Sequence, residues 1–83
     1  MGLDDALIFT RVVECHSFTL AAQGLGMQKS TVSRRIAQLE ERLGVRLLNR
    51  TTRKLRLTEV GQAYYERCRQ IMLDFAEAEQ AVM

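Results

Sequence analysis

The sequence predicts a mainly α-helical fold that carries one short β-hairpin. Three observations support this. The 83 residues contain no Pro and only five Gly, so the strongest helix breaker is absent. Val32, Ile36, Leu39 and Leu43 recur at steps of four, three and four, the period of one helix face. Lys54-Leu55-Arg56-Leu57 alternates basic and apolar residues, the period of a strand.

The first helix is expected from Asp4 or Asp5 to about Cys15. The two aspartates suit an N-cap and the positive end of the helix dipole. Leu7 or Ile8, Phe9, Val12, Val13 and Cys15 form its apolar face. His16 is the expected break. Ser17 or Thr19 then caps a second helix over about residues 19–24, where Ala21 and Ala22 permit close packing. Gly24-Leu25-Gly26 makes a tight turn with Leu25 pointing inward.

The third helix starts near Gln28 or Lys29 and ends at Gly44, the expected terminator. Opposite its apolar stripe lie Ser30, Arg34, Ala37 and Glu41, with Thr31 and Ser33 to either side. Its first two turns are small, polar and basic; its last carry Glu40 and Glu41. Residues 45–48 and 54–57 then read as two short strands, joined by a polar, basic connection over residues 49–53. Thr58 caps a last helix over residues 58–83, about 39 Å long at about 1.5 Å per residue. Val60, Tyr64, Cys68, Ile71, Phe75, Ala78 and Val82 give it a seam close to a heptad repeat. Val60 and Tyr64 are expected to pack on the first helix, leaving the later seam residues without an intrachain partner. Gly61 inside this helix calls for a close approach by another part of the chain.

Composition excludes several classes. Hydrophobic residues make up 47% and charged residues 27%, which argues for a packed domain over a disordered tail. No apolar run approaches membrane-spanning length, and the acidic start Leu3-Asp4-Asp5 does not read as a secretory signal. A cytoplasmic location follows as an expectation. Cys15 and Cys68 are too few for a disulfide scaffold and read as small buried hydrophobes. One histidine without metal-ligand spacing, and no glycine-rich phosphate loop, predict neither an enzyme nor a metal or cofactor site.

Charge is segregated. Residues 29–58 hold nine basic residues against Glu40 and Glu41, net +7, whereas residues 1–28 carry −2 and residues 59–83 carry −3. Seven of the nine are Arg, whose planar fork suits phosphate and guanine. This is the footprint of a nucleic-acid partner. An RNA binder would be expected to display aromatics on a sheet, and the basic block has none. A coiled-coil interaction module accounts for residues 58–83 and leaves the +7 block unexplained.

Helix, short helix, glycine turn, polar-tipped helix and basic hairpin together spell a winged helix-turn-helix with a long C-terminal linker helix. A recognition helix must place small or extended hydrogen-bonding side chains in the major groove; Lys29, Ser30, Thr31, Ser33 and Arg34 meet that need. Arg35, Arg42, Arg46 and Arg50 are candidates to neutralise phosphates, with Arg42 better suited to pairing with acidic neighbours. Arg53 or Lys54 in the wing could enter a narrow, A/T-rich minor groove.

Ser17-Phe18, Ala21-Ala22, Val32-Ser33-Arg34, Ile36, Leu39-Glu40, Leu43-Gly44-Val45-Arg46-Leu47-Leu48, Arg50, Arg53, Leu57-Thr58 and Gly61 resemble the N-terminal domain of LysR-type transcriptional regulators. The resemblance covers essentially the whole chain. It implies a bacterial factor that binds double-stranded DNA, with residues 1–57 as the DNA-reading domain and 58–83 as a dimerising linker helix. The implied DNA contacts are Lys29, Ser30, Thr31, Ser33 and Arg34, with Arg53 and Lys54 in the wing and Arg50 at a phosphate. The seam Ile71, Phe75, Ala78 and Val82 is the implied homodimer contact, with a tetramer as the further option in a full-length parent. In that family a small-molecule effector acts through a separate C-terminal domain, so the resemblance implies that these 83 residues are the DNA-binding part alone. Three positions depart from the family pattern. Gln28-Lys29-Ser30 stands where Ser-Gln-Pro is common, Lys54 replaces a frequent wing glycine, and His16 stands where Gly is frequent.

Overall fold

The computed structural model describes residues 2–50 and 54–83. The elements run α1 (Gly2–Cys15), α2 (Phe18–Leu25), α3 (Lys29–Leu43), β1 (Leu48–Arg50), β2 (Leu55–Leu57) and α4 (Glu59–Ala81). The core gathers Ile8, Phe9, Val12 and Val13 of α1, Ala21 and Ala22 of α2, Val32, Ile36 and Leu39 of α3, and Leu47 and Leu48. The α3 stripe is thus buried as its spacing predicts, apart from Leu43, which is 38% exposed at the helix end.

The first helix begins at Gly2, ahead of the expected start. Asp5 is not a cap. It lies buried inside the first turn, where a charged partner on α3 holds it. His16 takes φ 54°, a left-handed conformation that His adopts more readily than most residues, and α1 stops there. Ser17 caps α2 by accepting the Leu20 N–H at 3.1 Å. This fixes the start one residue before the expected one. Gly26 (φ 67°) and Gly44 (φ 71°) close α2 and α3 in the left-handed region, which glycine enters without steric cost. Leu25 is half-buried against the core.

The first strand was expected over residues 45–48; it runs instead from Leu48 to Arg50. Glu40 explains the shift. Its Oε2 accepts the Leu47 and Leu48 N–H groups at 2.7 and 3.1 Å, and its carbonyl accepts that of Val45 at 3.2 Å. The backbone at residues 45–47 is therefore committed to α3, and strand pairing starts later. β1 and β2 are antiparallel, with Leu48 opposite Leu57, Asn49 opposite Arg56 and Arg50 opposite Leu55.

Thr58 caps α4 by accepting the Gly61 N–H at 2.9 Å and donates to the Arg46 carbonyl at 2.6 Å. The close approach expected at Gly61 is the Leu47 carbonyl, which a Cβ at position 61 would strike. That carbonyl also accepts the Thr58 N–H at 3.0 Å. Tyr64 packs on Phe9 with ring centroids 5.4 Å apart, and Cys68 is buried. Burial pushes the Tyr64 phenol up to about 12, with Cys68 beside it adding to the shift, and burial likewise raises the Cys68 thiol. Both groups are therefore protonated at neutral pH, as inert packing residues should be. Val60 does not pack on α1; it is half-exposed. The buried stripe of α4 runs through Gly61, Tyr64 and Cys68, and Val60 lies a residue step to its side, about 100° around the helix.

Candidate nucleic-acid interface

α2, the turn at residues 26–28 and α3 form a helix-turn-helix. Ala21 and Ala22, both nearly fully buried, let α2 sit close to its neighbours. This leaves the first two turns of α3 at the surface. Lys29, Ser30 and Arg34 are exposed, whereas Thr31 and Ser33 are half-buried. Gln28 is the N-cap and supplies no side-chain hydrogen bond to the helix. Lys29 and Arg34 have no ion pair among the described residues.

The remaining basic residues divide sharply. Arg35, expected at a phosphate, instead turns to α1: its Nε donates to Asp5 Oδ1 at 2.9 Å and its Nη2 lies 2.9 Å from the same oxygen. Arg42 finds an acidic partner, but on α1 and not on its own helix; its Nη2 is 3.9 Å from Asp5 Oδ2. One buried carboxylate thus gathers two arginines of α3 and ties that helix to α1.

Arg50 joins three elements. Its Nη1 donates to Ser33 Oγ at 3.2 Å, its Nη2 is 4.0 Å from Glu40 Oε1, and its guanidinium lies 4.9 Å from the Phe18 ring centroid. Cation–π stacking and a partly buried ion pair both favour a planar cation here. The wing strand is thereby fastened to α2 and α3. Arg46 and Arg56 are exposed and have no ion pair among the described residues. Lys54 is exposed just before β2. Arg53 lies outside the described residues.

Sequence reasoning missed Asp5 and Glu40 as organisers. Each carried a signal: Asp5 sits among the apolar residues of its helix, and Glu40 is one of only two acids in the basic block. Also missed were Leu3 and Leu7. With Asp4, Ile71, Met72 and Phe75 they line a groove of about 280 Å³ between α1 and α4. Ile71 (54%) and Phe75 (59%) are exposed there, and Ala78 and Val82 continue the exposed run. The expected seam is therefore open along its second half, and α1 adds apolar residues to it.

A helix-turn-helix whose second helix keeps an exposed polar face, flanked by a two-stranded basic wing, defines the winged helix-turn-helix class. Residues 3–62 match the family described as bacterial regulatory helix-turn-helix protein, lysR family. This chain belongs to that family. A transcriptional regulator of Xanthomonas campestris pv. campestris is 55% identical over 80 residues, which is 96% of this chain and 23% of that protein. The regulator CrgA of Neisseria meningitidis is 50% identical over 76 residues, 92% of this chain and 25% of its own length. The chain thus spans about a quarter of the length of these curated relatives. Among solved structures, the BenM DNA-binding domain in complex with catB site 1 DNA superposes with a TM-score of 0.92 at 33% identity. That match covers 99% of this chain and 91% of the other. Among the described residues no helix is long and apolar enough to cross a membrane.

Proposed function

We propose that this chain is the double-stranded DNA-binding part of a bacterial LysR-type transcriptional regulator, acting in the cytoplasm at the nucleoid. Residues 1–57 read the duplex and residues 58–83 link two copies. The observation that carries this reading is the sorting of charge on α3: Arg35 and Arg42 are held by Asp5, whereas Lys29 and Arg34 face solvent with no ion pair among the described residues. A cation left unpaired beside small hydroxyl residues suits a partner that brings phosphates and base-edge acceptors. Lys29, Ser30, Thr31, Ser33 and Arg34 enter the major groove, Arg53 and Lys54 reach the adjacent minor groove, and Arg50 lies close to the backbone. The BenM DNA-binding domain, a similar protein, is solved in complex with DNA, which supports a duplex as the partner.

Dimerisation completes the reading surface. One recognition helix covers only a few base pairs, and a two-fold pair doubles the sequence read. Ile71, Phe75, Ala78 and Val82 of α4, with the α1 groove residues Leu3 and Leu7, form the proposed contact. Two α3 helices then address major grooves about 34 Å apart on an imperfect dyad. The test is a salt titration of binding to duplex DNA, single strands and RNA, run with sedimentation. A dimer whose duplex affinity falls steeply with salt is expected. Equal affinity for RNA and duplex contradicts the reading. An unchanged dimer after Ile71 and Phe75 are both made polar contradicts the seam.

A further inference from the structure

We infer that Arg50 is a specificity-determining positioning residue: by donating to Ser33 Oγ it sets the Ser33 hydroxyl as a hydrogen-bond donor toward the major groove. The base facing Ser33 must then present an acceptor. This inference rests on the DNA-reading role proposed above for α3.

The direction of the Arg50–Ser33 bond is fixed by chemistry. A guanidinium carries only donors, so Ser33 Oγ is the acceptor at 3.2 Å. A hydroxyl that accepts from a cation is polarised, which strengthens its own O–H as a donor and weakens its remaining lone pair. Among the described residues the Ser33 hydroxyl also donates to no acceptor. Within a helix a hydroxyl often returns its proton to the carbonyl four residues back, as Thr10 does to the Ala6 carbonyl at 2.7 Å. Ser33 makes no such bond among the described residues.

Arg50 is held for this task from two further sides, by the Phe18 ring at 4.9 Å and by Glu40 at 4.0 Å. Glu40 is in turn fixed by the Leu47 and Leu48 amides it accepts. The rotor of Ser33 is thus set by a chain of contacts that no base touches. In the major groove G, A and T each offer an acceptor, through N7, O6 or O4, whereas cytosine offers only its N4 amino donor. A Ser33 whose donor is strengthened and whose remaining lone pair is weakened disfavours cytosine at the position it faces.

The experiment is selection of bound sites from random duplexes, comparing the full chain with Arg50→Met, Ser33→Ala and the double variant. Met keeps an apolar contact to Phe18 and removes the donors. Wild type should disfavour cytosine about tenfold at one position of each half-site, the worth of one good hydrogen bond. Arg50→Met should bring cytosine to within about threefold of the other bases at that position alone. Ser33→Ala should do the same, and the double variant should add nothing. A uniform loss of affinity in Arg50→Met, with a salt slope lower by about one and an unmoved base profile, marks a simple phosphate contact and overturns the inference. If Arg50→Met melts too low to assay, Ser33→Ala decides alone, and cytosine exclusion surviving in it overturns the inference. A wild type that selects no duplex at all overturns the DNA-reading proposal itself, a result distinct from intact selection with cytosine tolerated throughout.

Discussion

The first two turns of α3 and its last two turns both carry exposed charge and put it to opposite use. In the first, Lys29, Ser30 and Arg34 face solvent, and the N-cap Gln28 gives the helix no side-chain bond. In the last, Glu40 is spent on the amides of Leu47 and Leu48, and Arg42 reaches back to Asp5. Charge count alone therefore does not define a binding surface. Where a buried carboxylate lies within reach, a basic residue becomes part of the scaffold. Arg34 and Arg35 are neighbours in sequence, and only Arg35 points toward Asp5.

Breaking the scaffold end should produce the largest effect. Glu40→Ala removes the acceptor of two backbone amides, one of them on the fully buried Leu47, and the counter-charge of Arg50. An unsatisfied buried donor costs roughly 1–3 kcal/mol, so a loss of about 3 kcal/mol is expected. Urea unfolding should show a lower midpoint at unchanged slope. A loss below about 0.5 kcal/mol, the range of ordinary surface changes, contradicts the role given to Glu40.

Gly61→Ala tests the same junction from the other side. Alanine favours a helix by about 1 kcal/mol over glycine. Here its Cβ meets the Leu47 carbonyl, which also receives the Thr58 amide. Overpacking of this kind costs roughly 1–3 kcal/mol, and against a backbone carbonyl the upper part of that range applies, so a net loss of about 1–2 kcal/mol is expected. A variant that melts at or above the wild-type temperature shows that the carbonyl can move freely.

The exposed end should respond least in stability. Gln28→Ser restores a capping hydroxyl at a position whose φ of −78° and ψ of 146° already suit an N-cap. A gain of about 0.5–1 kcal/mol is expected in thermal unfolding. No gain would mean that the serine side chain does not reach the first-turn amides.

Much of this was legible in the sequence because period and punctuation are local signals. The α3 stripe, the left-handed stops at His16 and Gly44, the Thr58 cap and the crowding at Gly61 all follow from residue type and spacing. What was not legible depends on contacts across the fold. Asp5 looked like a helix cap because its partners, Arg35 and Arg42, lie some thirty residues or more away. Strand β1 was displaced because a glutamate on α3 captures its approach. Arg50 read only as a phosphate contact because Phe18, Ser33 and Glu40 meet it only in three dimensions. The second half of the α4 seam was legible for the opposite reason: its apolar spacing exceeds what the domain's own core requires.

In the proposed division of labour on α3, Arg34 reads the duplex while Arg35 and Arg42 hold the fold. The most direct measurement compares specific and non-specific duplex affinity for Arg34→Ala and Arg42→Ala at one salt concentration. Arg34→Ala should lose about 1–3 kcal/mol on the specific site, with little change on random duplex and an unfolding midpoint equal to wild type. Arg42→Ala should lower stability and leave the ratio of the two affinities as it was. Equal losses on specific and random duplex in Arg34→Ala, or a ratio that moves with Arg42 instead, would contradict the account.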